Sequence, residues 1–203
     1  MRVAWVMGWA VPEEWFAPLV RDALPQAEHA FFAASPNWLA QVCASGPWDV
    51  IAGHSLGTLL LLQEAAAVSR LAPRVVLLAP VFGFPREADL GGCVELTQVN
   101  YLMRWLRKDR GAALEDFYLR AGLEGCRAGA MTSPDGLLQW GLERLANDRV
   151  APVLPAGWRA YAGGRDALVN GAELAVRVNG VSVVDEATHH PEALLRAWTE
   201  GGP

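Results

Sequence analysis

Short apolar runs alternate along the chain with longer segments in which apolar residues recur at helical spacing. The short runs predict strands over residues 3–7, 29–33, 49–52, 74–79, 158–162 and 181–184. The longer segments predict helices over residues 13–24, 56–69 and 167–178 and a last helix after residue 191. Because strands that alternate with helices pair side by side, this pattern predicts an α/β fold: a compact, mostly parallel sheet with helices on both faces.

Between residues 82 and 150 the strand pattern is interrupted and only helical periods are found. The predicted apolar faces contain Val99, Leu102, Met103 and Leu106, then Leu114, Phe117, Tyr118 and Ala121, and finally Leu138, Leu142 and Leu145. Since strand patterns resume beyond this segment, it is predicted to be a helical cap inserted between two strands. A chain of 203 residues has the size of one domain, so residues 1–203 are predicted to form a single domain.

Composition and charge exclude several classes of protein. With 52% hydrophobic and 19% charged residues the chain is too apolar to be disordered, and a net charge of −5 argues against a nucleic-acid-binding protein. No apolar run approaches the roughly 20 residues of a membrane-spanning helix. The three cysteines show no CxxC spacing, so neither a disulfide framework nor a structural zinc site is predicted. We expect a protein of the cytoplasm that binds neither nucleic acid nor membrane.

The sequence Gly53-His54-Ser55-Leu56-Gly57 places a G-x-S-x-G motif between a predicted buried strand and a predicted apolar helix. Chance alone gives roughly 0.06 occurrences of the motif in a chain of this composition. The glycines let the strand turn sharply into the helix, which lifts the Ser55 hydroxyl above the sheet and leaves the Leu56 N–H free to bind an oxyanion. The motif predicts a nucleophilic serine; the alternative is a glycine-rich connector with a capping serine.

A serine hydroxyl is a weak nucleophile, so the motif requires a histidine base and a carboxylate, in the chain order serine, acid, histidine. His29 precedes the serine, and His54 lies inside the turn. His189 and His190 follow the last predicted strand and precede a helix, which places them at the carboxyl edge of the sheet. His189 is the favoured base, and His190 is the alternative.

The acid is expected at the end of the preceding strand, where Asp166 follows Gly163 and Gly164. The glycines permit a tight turn, so that a short carboxylate can reach the imidazole and hold its tautomer. Asp166 could instead cap the following helix. Asp185 and Glu186 are alternative acids, although both lie only a few residues from the predicted base.

A second oxyanion donor is expected in the loop after the first strand. That loop reads Met7-Gly8-Trp9-Ala10, in which Gly8 permits close approach and the Trp9 N–H is the predicted donor. The Trp9 side chain could also be a packing aromatic, because the donor belongs to the backbone.

These residues resemble the α/β-hydrolase superfamily and, within it, the pimeloyl-acyl carrier protein methyl ester esterases of biotin synthesis. The segment 7–10 is similar to that family's H-G-W-G, with Met7 in place of the histidine. The segments 141–149, 161–169 and 187–189 are similar to its G-L-x-x-L and D-x-R, Y-G-x-x-D-x-L-V and A-x-H motifs. The family's glycine-rich segment after the third strand and its first antiparallel hairpin are absent.

The resemblance implies an α/β-hydrolase fold and a serine carboxylesterase that needs no metal ion and no organic cofactor. Carried over by position, the nucleophile is Ser55, the acid Asp166 and the base His189, and the oxyanion donors are the N–H groups of Trp9 and Leu56. The implied substrate is the methyl ester of pimeloyl-acyl carrier protein. The alternatives are a short-chain esterase or acyl-thioesterase, and a non-catalytic interaction module.

The predicted cap concentrates positive charge in a protein that is acidic overall. Its basic residues are Arg104, Arg107, Lys108 and Arg110. Because acyl carrier proteins are acidic, a basic cap could attract and seat such a partner. The alternative is a solvated helix face without a partner.

Overall fold

The computed structural model describes residues 1–201, and six strands of this part of the chain form one parallel sheet. The strands are β1 (Arg2–Val6), β2 (Glu28–Phe32), β3 (Val50–His54), β4 (Arg74–Leu78), β5 (Trp158–Gly163) and β6 (Val181–Val184). Their order in the sheet is β2-β1-β3-β4-β5-β6, and each of the five pairings is parallel. The central strands are buried along almost their whole length, which explains why they read as continuous apolar runs.

Helices flank this sheet. They are α1 (Glu13–Ala23), α2 (Trp38–Ser45), α3 (Leu56–Gln63), α4 (Ala65–Leu71), α5 (Leu96–Lys108), α6 (Arg110–Ala121), α7 (Asp135–Asn147), α8 (Gly171–Arg177) and α9 (Pro191–Glu200). On one side, α1 and α9 pack together over β1, where the Trp5 ring meets Phe16 at 5.5 Å and Trp198 at 5.8 Å. Edge-to-face contacts of this kind fix large aromatic side chains in the core.

The predicted α/β architecture is confirmed, and the predicted strands lie within about two residues of those observed. The helix predicted over 56–69 is two helices, because Glu64 leaves the helical backbone conformation at φ −108° and ψ 27°. The predicted helix start at Ala167 is wrong. The helix begins only at Gly171, because residues 168–170 pair with residues 91–93: the Cys93 N–H donates to the Leu168 carbonyl, and the Asn170 N–H donates to the Gly91 carbonyl. The helix α2 was not predicted.

The segment between β4 and β5 contains α5, α6 and α7. Its two ends meet where the Val150 N–H donates to the Phe82 carbonyl at 2.8 Å and where Gly83 and Arg149 form an isolated antiparallel bridge. Because β4 and β5 run parallel, the chain leaves the carboxyl end of β4, closes the segment at Phe82 and Val150, and reaches the amino end of β5 through residues 151–157. In residues 1–201, no helix has both the length and the apolar character needed to cross a bilayer.

Candidate active site

The motif residue Ser55 occupies the turn between β3 and α3. Its backbone has φ 52° and ψ −120°, a conformation that is unfavourable for a residue with a side chain. The turn is tight: a Cβ on Gly57 would overlap the backbone carbonyl of Val6, and one on Gly53 would lie 2.7 Å from Leu61 Cδ1. The glycines on either side of Ser55 are therefore required by close backbone approach, and the turn holds Ser55 at the carboxyl end of β3.

The structure brings Ser55, His189 and Asp166 together in one hydrogen-bonded chain. His189 Nε2 lies 2.9 Å from Ser55 Oγ, and His189 Nδ1 lies 2.7 Å from Asp166 Oδ2. With Asp166 ionised, the imidazole proton is on Nδ1, which donates a hydrogen bond to the carboxylate. Nε2 is then unprotonated and accepts a hydrogen bond from the serine hydroxyl. The site is secluded, since His189 is 1% and Ser55 5% exposed. This is the arrangement that activates a serine nucleophile.

The alternative base does not reach the serine in this structure. His190 caps α9, where its Nδ1 accepts from the Glu192 N–H at 3.3 Å, and its ring lies 5.0 Å from that of Trp15. Burial lowers the pKa of His190, and the nearby Glu192 and Glu124 carboxylates partly offset this effect. Of the two adjacent histidines, His189 alone is hydrogen-bonded to Ser55 in the described part of the chain.

Asp166 is held as a carboxylate by its surroundings. Its Oδ1 accepts from the backbone N–H groups of Leu168 at 2.8 Å and Val169 at 3.1 Å. Burial alone would raise the pKa of Asp166, but the charge and hydrogen bond of His189 and the two backbone N–H groups outweigh burial and bring the pKa below its usual value. The predicted helix-capping alternative is partly realised, because the carboxylate binds backbone N–H groups, but the residue that caps α8 is Asn170.

His54 is a fully buried neighbour of this chain. Its Nε2 lies 3.0 Å from the His189 carbonyl oxygen and donates to it, so the proton is on Nε2. Its Nδ1 has no hydrogen-bond partner in residues 1–201. Burial lowers the pKa of His54 to about 3, and the charge of His189 acts in the same direction. His54 is therefore neutral at physiological pH, and its hydrogen bond holds the backbone of His189.

The two predicted oxyanion donors belong to chain segments that adjoin Ser55. Leu56 is the first residue of α3, and Gly8 packs so closely that a Cβ on it would lie 3.2 Å from Ser55 Cβ. Within residues 1–201 the backbone N–H groups of Trp9 and Leu56 have no hydrogen-bond acceptor. Backbone N–H groups without an acceptor are suited to bind a developing negative charge.

An apolar cavity of about 540 Å³ lies between the sheet and the segment that carries α5–α7. Its lining includes Trp9, Ala167 and Leu168, of which Ala167 and Leu168 follow Asp166 in the chain, but not Ser55, Asp166 or His189 themselves. Its wall comes mainly from the helical segment, with Val99, Leu102, Trp105, Phe117, Leu142 and Leu145 among the lining residues. Its volume is in the range of small-molecule sites. Among residues 1–201, no group of three or more His, Cys, Asp or Glu side chains could hold a metal ion.

The four basic residues of the predicted cap fall into two sets. Arg104, Arg107 and Lys108 are exposed and, at i, i+3 and i+4, share one face of α5, and none forms an ion pair within residues 1–201. Arg110 is different: its guanidinium pairs with Asp135 at 2.6 Å and donates to the Met131 carbonyl. Arg110 thus ties the start of α6 to the start of α7.

Two contacts of the site have no signal in the sequence. The Trp9 indole N–H donates to the Leu138 carbonyl at 2.8 Å, and the Tyr118 hydroxyl donates to the Ala10 carbonyl at 2.8 Å. Helical spacing places Tyr118 and Leu138 among the core residues, and both are buried. The spacing does not indicate that they contact the loop after β1.

Comparison with known proteins gives relatives by structure alone. No protein-family model matches the sequence, and no curated protein matches it. The structure is similar to that of a hydrolase from Oleispira antarctica, with 12% identity, a TM-score of 0.69 and coverage of 98% of this chain and 86% of the other. It is also similar to a thermophilic esterase from Thermogutta terrifontis, with 13% identity, a TM-score of 0.66 and coverage of 99% and 89%.

A third similar structure is that of a mutant epoxide hydrolase from Bacillus megaterium, with 11% identity, a TM-score of 0.64 and coverage of 98% and 90%. At these identities the likeness concerns the fold and leaves the reaction open. The parallel sheet, the serine turn after β3 and the match over almost the whole chain lead to one conclusion: this chain has the α/β-hydrolase fold.

Proposed function

We propose that this protein is a serine carboxylesterase that cleaves an acyl ester through a covalent acyl-enzyme. The proposal rests on one observation, the continuous hydrogen-bonded chain from Ser55 through His189 to Asp166 at a strained turn. A serine in a strained backbone conformation, with its hydroxyl bonded to a buried imidazole, is not explained by packing alone.

In the first half of the reaction, Ser55 Oγ attacks the ester carbonyl carbon while His189 Nε2 accepts the serine proton. The carbonyl oxygen becomes an oxyanion, which the backbone N–H groups of Trp9 and Leu56 stabilise. The imidazolium is held by Asp166, which stays ionised. When the tetrahedral intermediate collapses, the carbon–oxygen bond to the alcohol breaks, the alcohol leaves with the proton from His189, and Ser55 carries the acyl group.

In the second half, water replaces the alcohol. His189 removes a proton from the water, and the resulting hydroxide attacks the acyl-enzyme carbonyl at the same oxyanion site. Collapse of the second intermediate breaks the bond to Ser55 Oγ, which recovers its proton from His189. The products are a carboxylic acid and an alcohol, and the enzyme returns to its starting state.

The test of this chemistry is active-site labelling with a fluorophosphonate together with hydrolysis of p-nitrophenyl esters. We expect stoichiometric labelling at Ser55, and we expect Ser55→Ala to abolish labelling and to lower kcat by at least about 10³-fold. The variant should remain folded, with a Tm within about 5 °C of the wild type, because its side chain makes one hydrogen bond. Full turnover by Ser55→Ala would exclude the mechanism.

For the substrate, we propose the methyl ester of pimeloyl-acyl carrier protein, with methanol as the leaving alcohol. An apolar cavity of about 540 Å³ next to Trp9 suits an acyl chain. The exposed, unpaired basic face of Arg104, Arg107 and Lys108 suits an acidic carrier. The basic face and most of the cavity wall belong to the helical segment that carries α5–α7.

The substrate proposal is tested by comparing hydrolysis of the carrier-bound pimeloyl methyl ester with that of the free dimethyl ester and of an acyl thioester. A preference for the carrier-bound methyl ester, and complementation of a biotin auxotroph that lacks its pimeloyl esterase, would support it. Equal or faster hydrolysis of the free ester or the thioester, without complementation, would instead support a general esterase or a thioesterase.

A further inference from the structure

The loop that supplies the Trp9 N–H has weak internal support. Residues 8–11 form a turn whose closing hydrogen bond, from the Val11 N–H to the Gly8 carbonyl, is long at 3.4 Å. Ala10, inside this turn, has φ 53°, a left-handed conformation that favours glycine over alanine. A turn that is both strained and weakly closed keeps its shape only if neighbouring structure holds it.

The neighbours that hold this turn belong to α6 and α7. The Tyr118 hydroxyl on α6 donates to the Ala10 carbonyl at 2.8 Å, and the Leu138 carbonyl on α7 accepts from the Trp9 indole at 2.8 Å. Both hydrogen bonds are buried and join residues more than 100 positions apart. Burial raises the pKa of Tyr118 well above its usual range, so its hydroxyl remains a donor at any working pH.

Packing reinforces the two hydrogen bonds. The Trp9 ring meets Phe117 of α6 edge-on at 4.5 Å. Gly141 of α7 lies directly against the oxyanion residues: a Cβ there would stand 2.5 Å from Trp9 Cδ1 and 3.2 Å from Leu56 Cδ2. The helix α7 can therefore pack this closely against Trp9 and Leu56 only because residue 141 has no side chain.

From these contacts we infer that Tyr118 and Gly141 are positioning residues for catalysis, through which α6 and α7 set the place of the Trp9 N–H beside Ser55. The inference rests on the proposed function. The oxyanion hole is complete only while both helices are seated, so movement of these helices would switch turnover off while the hydrogen-bonded chain of Ser55, His189 and Asp166 stays intact.

The first test is Tyr118→Phe, which removes the hydroxyl and keeps the ring. Oxyanion donors act in the transition state, so kcat for a p-nitrophenyl ester should fall about 10- to 100-fold while KM stays within about threefold. A trifluoromethyl ketone, which forms an oxyanion on Ser55, should bind more weakly by the same factor as kcat/KM falls. The control is Tyr161→Phe, another buried tyrosine, whose hydroxyl has no hydrogen-bond partner within residues 1–201; it should keep wild-type kcat.

The second test is Gly141→Ala, which deletes no hydrogen bond but displaces the Trp9 ring. We expect the same loss in kcat and the same weaker binding of the trifluoromethyl ketone. The control is Gly136→Ala on the same helix, where a Cβ meets nothing within 4 Å, and its kcat should be unchanged. All rates are expressed per site labelled to completion with fluorophosphonate, so that unfolded protein does not count.

The inference is overturned if both variants keep kcat per labelled site within about twofold of the wild type, or if only KM changes. It is also overturned if inhibitor affinity is unchanged while kcat falls, because the loss would then not lie at the oxyanion. Failure of the proposed function looks different: the wild type itself would take up no fluorophosphonate and hydrolyse no ester.

Discussion

The hydrogen-bonded triad and the cavity wall of the candidate site come from different parts of the chain. Ser55, Asp166 and His189 lie in the connections that follow β3, β5 and β6, and we call this group the sheet half of the site. The cavity wall and the supports of Trp9 come largely from α5, α6 and α7, which we call the cap half. The sheet half is fixed by parallel strands whose ends meet at one edge, whereas the cap half depends on packing between distant segments.

The difference teaches where chemistry and selectivity reside. In the sheet half, each group is placed by a backbone feature that tolerates little change: the strained turn at Ser55, the N–H groups that bind Asp166, and the His54 contact to His189. In the cap half, most of the side chains that line the cavity are apolar and can be exchanged for others of similar volume. Changes in the sheet half should therefore affect turnover or folding, whereas exchange of the apolar cavity-lining side chains in the cap half should affect the choice of substrate.

The largest expected effect is that of Asp166→Asn in the sheet half. The asparagine oxygen can keep the hydrogen bonds from the N–H groups of Leu168 and Val169, which turns its NH₂ toward His189 Nδ1. The neutral imidazole then carries its proton on Nε2 and can no longer accept the Ser55 proton, so kcat should fall about 10⁴-fold. The control is Asp185→Asn, an exposed alternative acid, which should leave kcat unchanged. A loss of less than tenfold in Asp166→Asn would contradict this role.

The next effect is on folding and concerns the turn itself. In Gly57→Ala, the new methyl group would meet the backbone of Val6 and lie 3.0 Å from the Met7 carbonyl oxygen, and backbone cannot move aside as a side chain can. We expect the free energy of unfolding to fall by more than about 3 kcal/mol, measured by urea denaturation. Gly136→Ala, at the second residue of α7, where a Cβ meets nothing within 4 Å, should instead leave the free energy of unfolding unchanged or raise it slightly. Equal stabilities would show that the turn is looser than described.

A third effect appears as pH falls. The pKa of His54 is about 3 in the folded protein and near 6.5 when unfolded, so its contribution to stability is complete above pH 6.5 and is lost as the pH falls from 6.5 toward 3. Linkage gives a loss of roughly 2–3 kcal/mol between pH 7 and pH 4.5. Glutamine does not titrate and can still donate to the His189 carbonyl. Between pH 7 and pH 4.5, His54→Gln should therefore lose roughly 2–3 kcal/mol less of its free energy of unfolding than the wild type.

The measurement is the free energy of unfolding of both proteins at pH 7 and pH 4.5. Asp166 titrates in both proteins, so its contribution cancels in the comparison. The same decrease in the wild type and in His54→Gln would mean that His54 becomes protonated in the folded state.

The smallest expected effect lies in the cap half. Arg104→Glu should lower the ratio of the rates on carrier-bound and free ester about 5- to 10-fold at low salt, and the decrease should shrink above about 0.5 M salt. Arg70→Glu makes the same charge change on α4, far along the chain from the cap half, and should leave the ratio unchanged. Equal effects of the two substitutions would assign the result to net charge and not to a docking face.

The sheet half could be predicted from the sequence because its signals are local. The G-x-S-x-G motif fixes the turn, and the order of strands fixes which later loops reach the same edge, so Ser55, Asp166 and His189 are found together as predicted. The sequence does not distinguish His189 from His190, because the two adjacent residues share one loop and differ only in the direction of their side chains. The start of α8 differs from the prediction because residues 168–170 pair with residues 91–93, a long-range contact that has no periodic pattern.

The cap half could not be predicted to this level. Helical spacing identifies the apolar faces of α5, α6 and α7, but it does not state which loop each face covers. Tyr118 belongs to such a face, and its hydroxyl contact with Ala10 depends on how α6 is placed over the sheet. Arg110 was grouped with the basic residues of α5, whereas its partner Asp135 lies 25 positions away on α7. Long-range pairs of this kind depend on how the helices pack, and the periodicity of a single sequence does not predict that packing.

The junction between the helical segment and the sheet would allow the segment between Phe82 and Val150 to be replaced by one from another protein. The Val150 N–H donates to the Phe82 carbonyl at 2.8 Å, so the two splice points lie side by side, one in the connection after β4 and the other in the connection before β5. A foreign helical hairpin could be grafted there without altering strand register. To build a working chimera, the graft would have to supply a hydroxyl that donates to the Ala10 carbonyl, as Tyr118 does, and a carbonyl that accepts from the Trp9 indole, as that of Leu138 does.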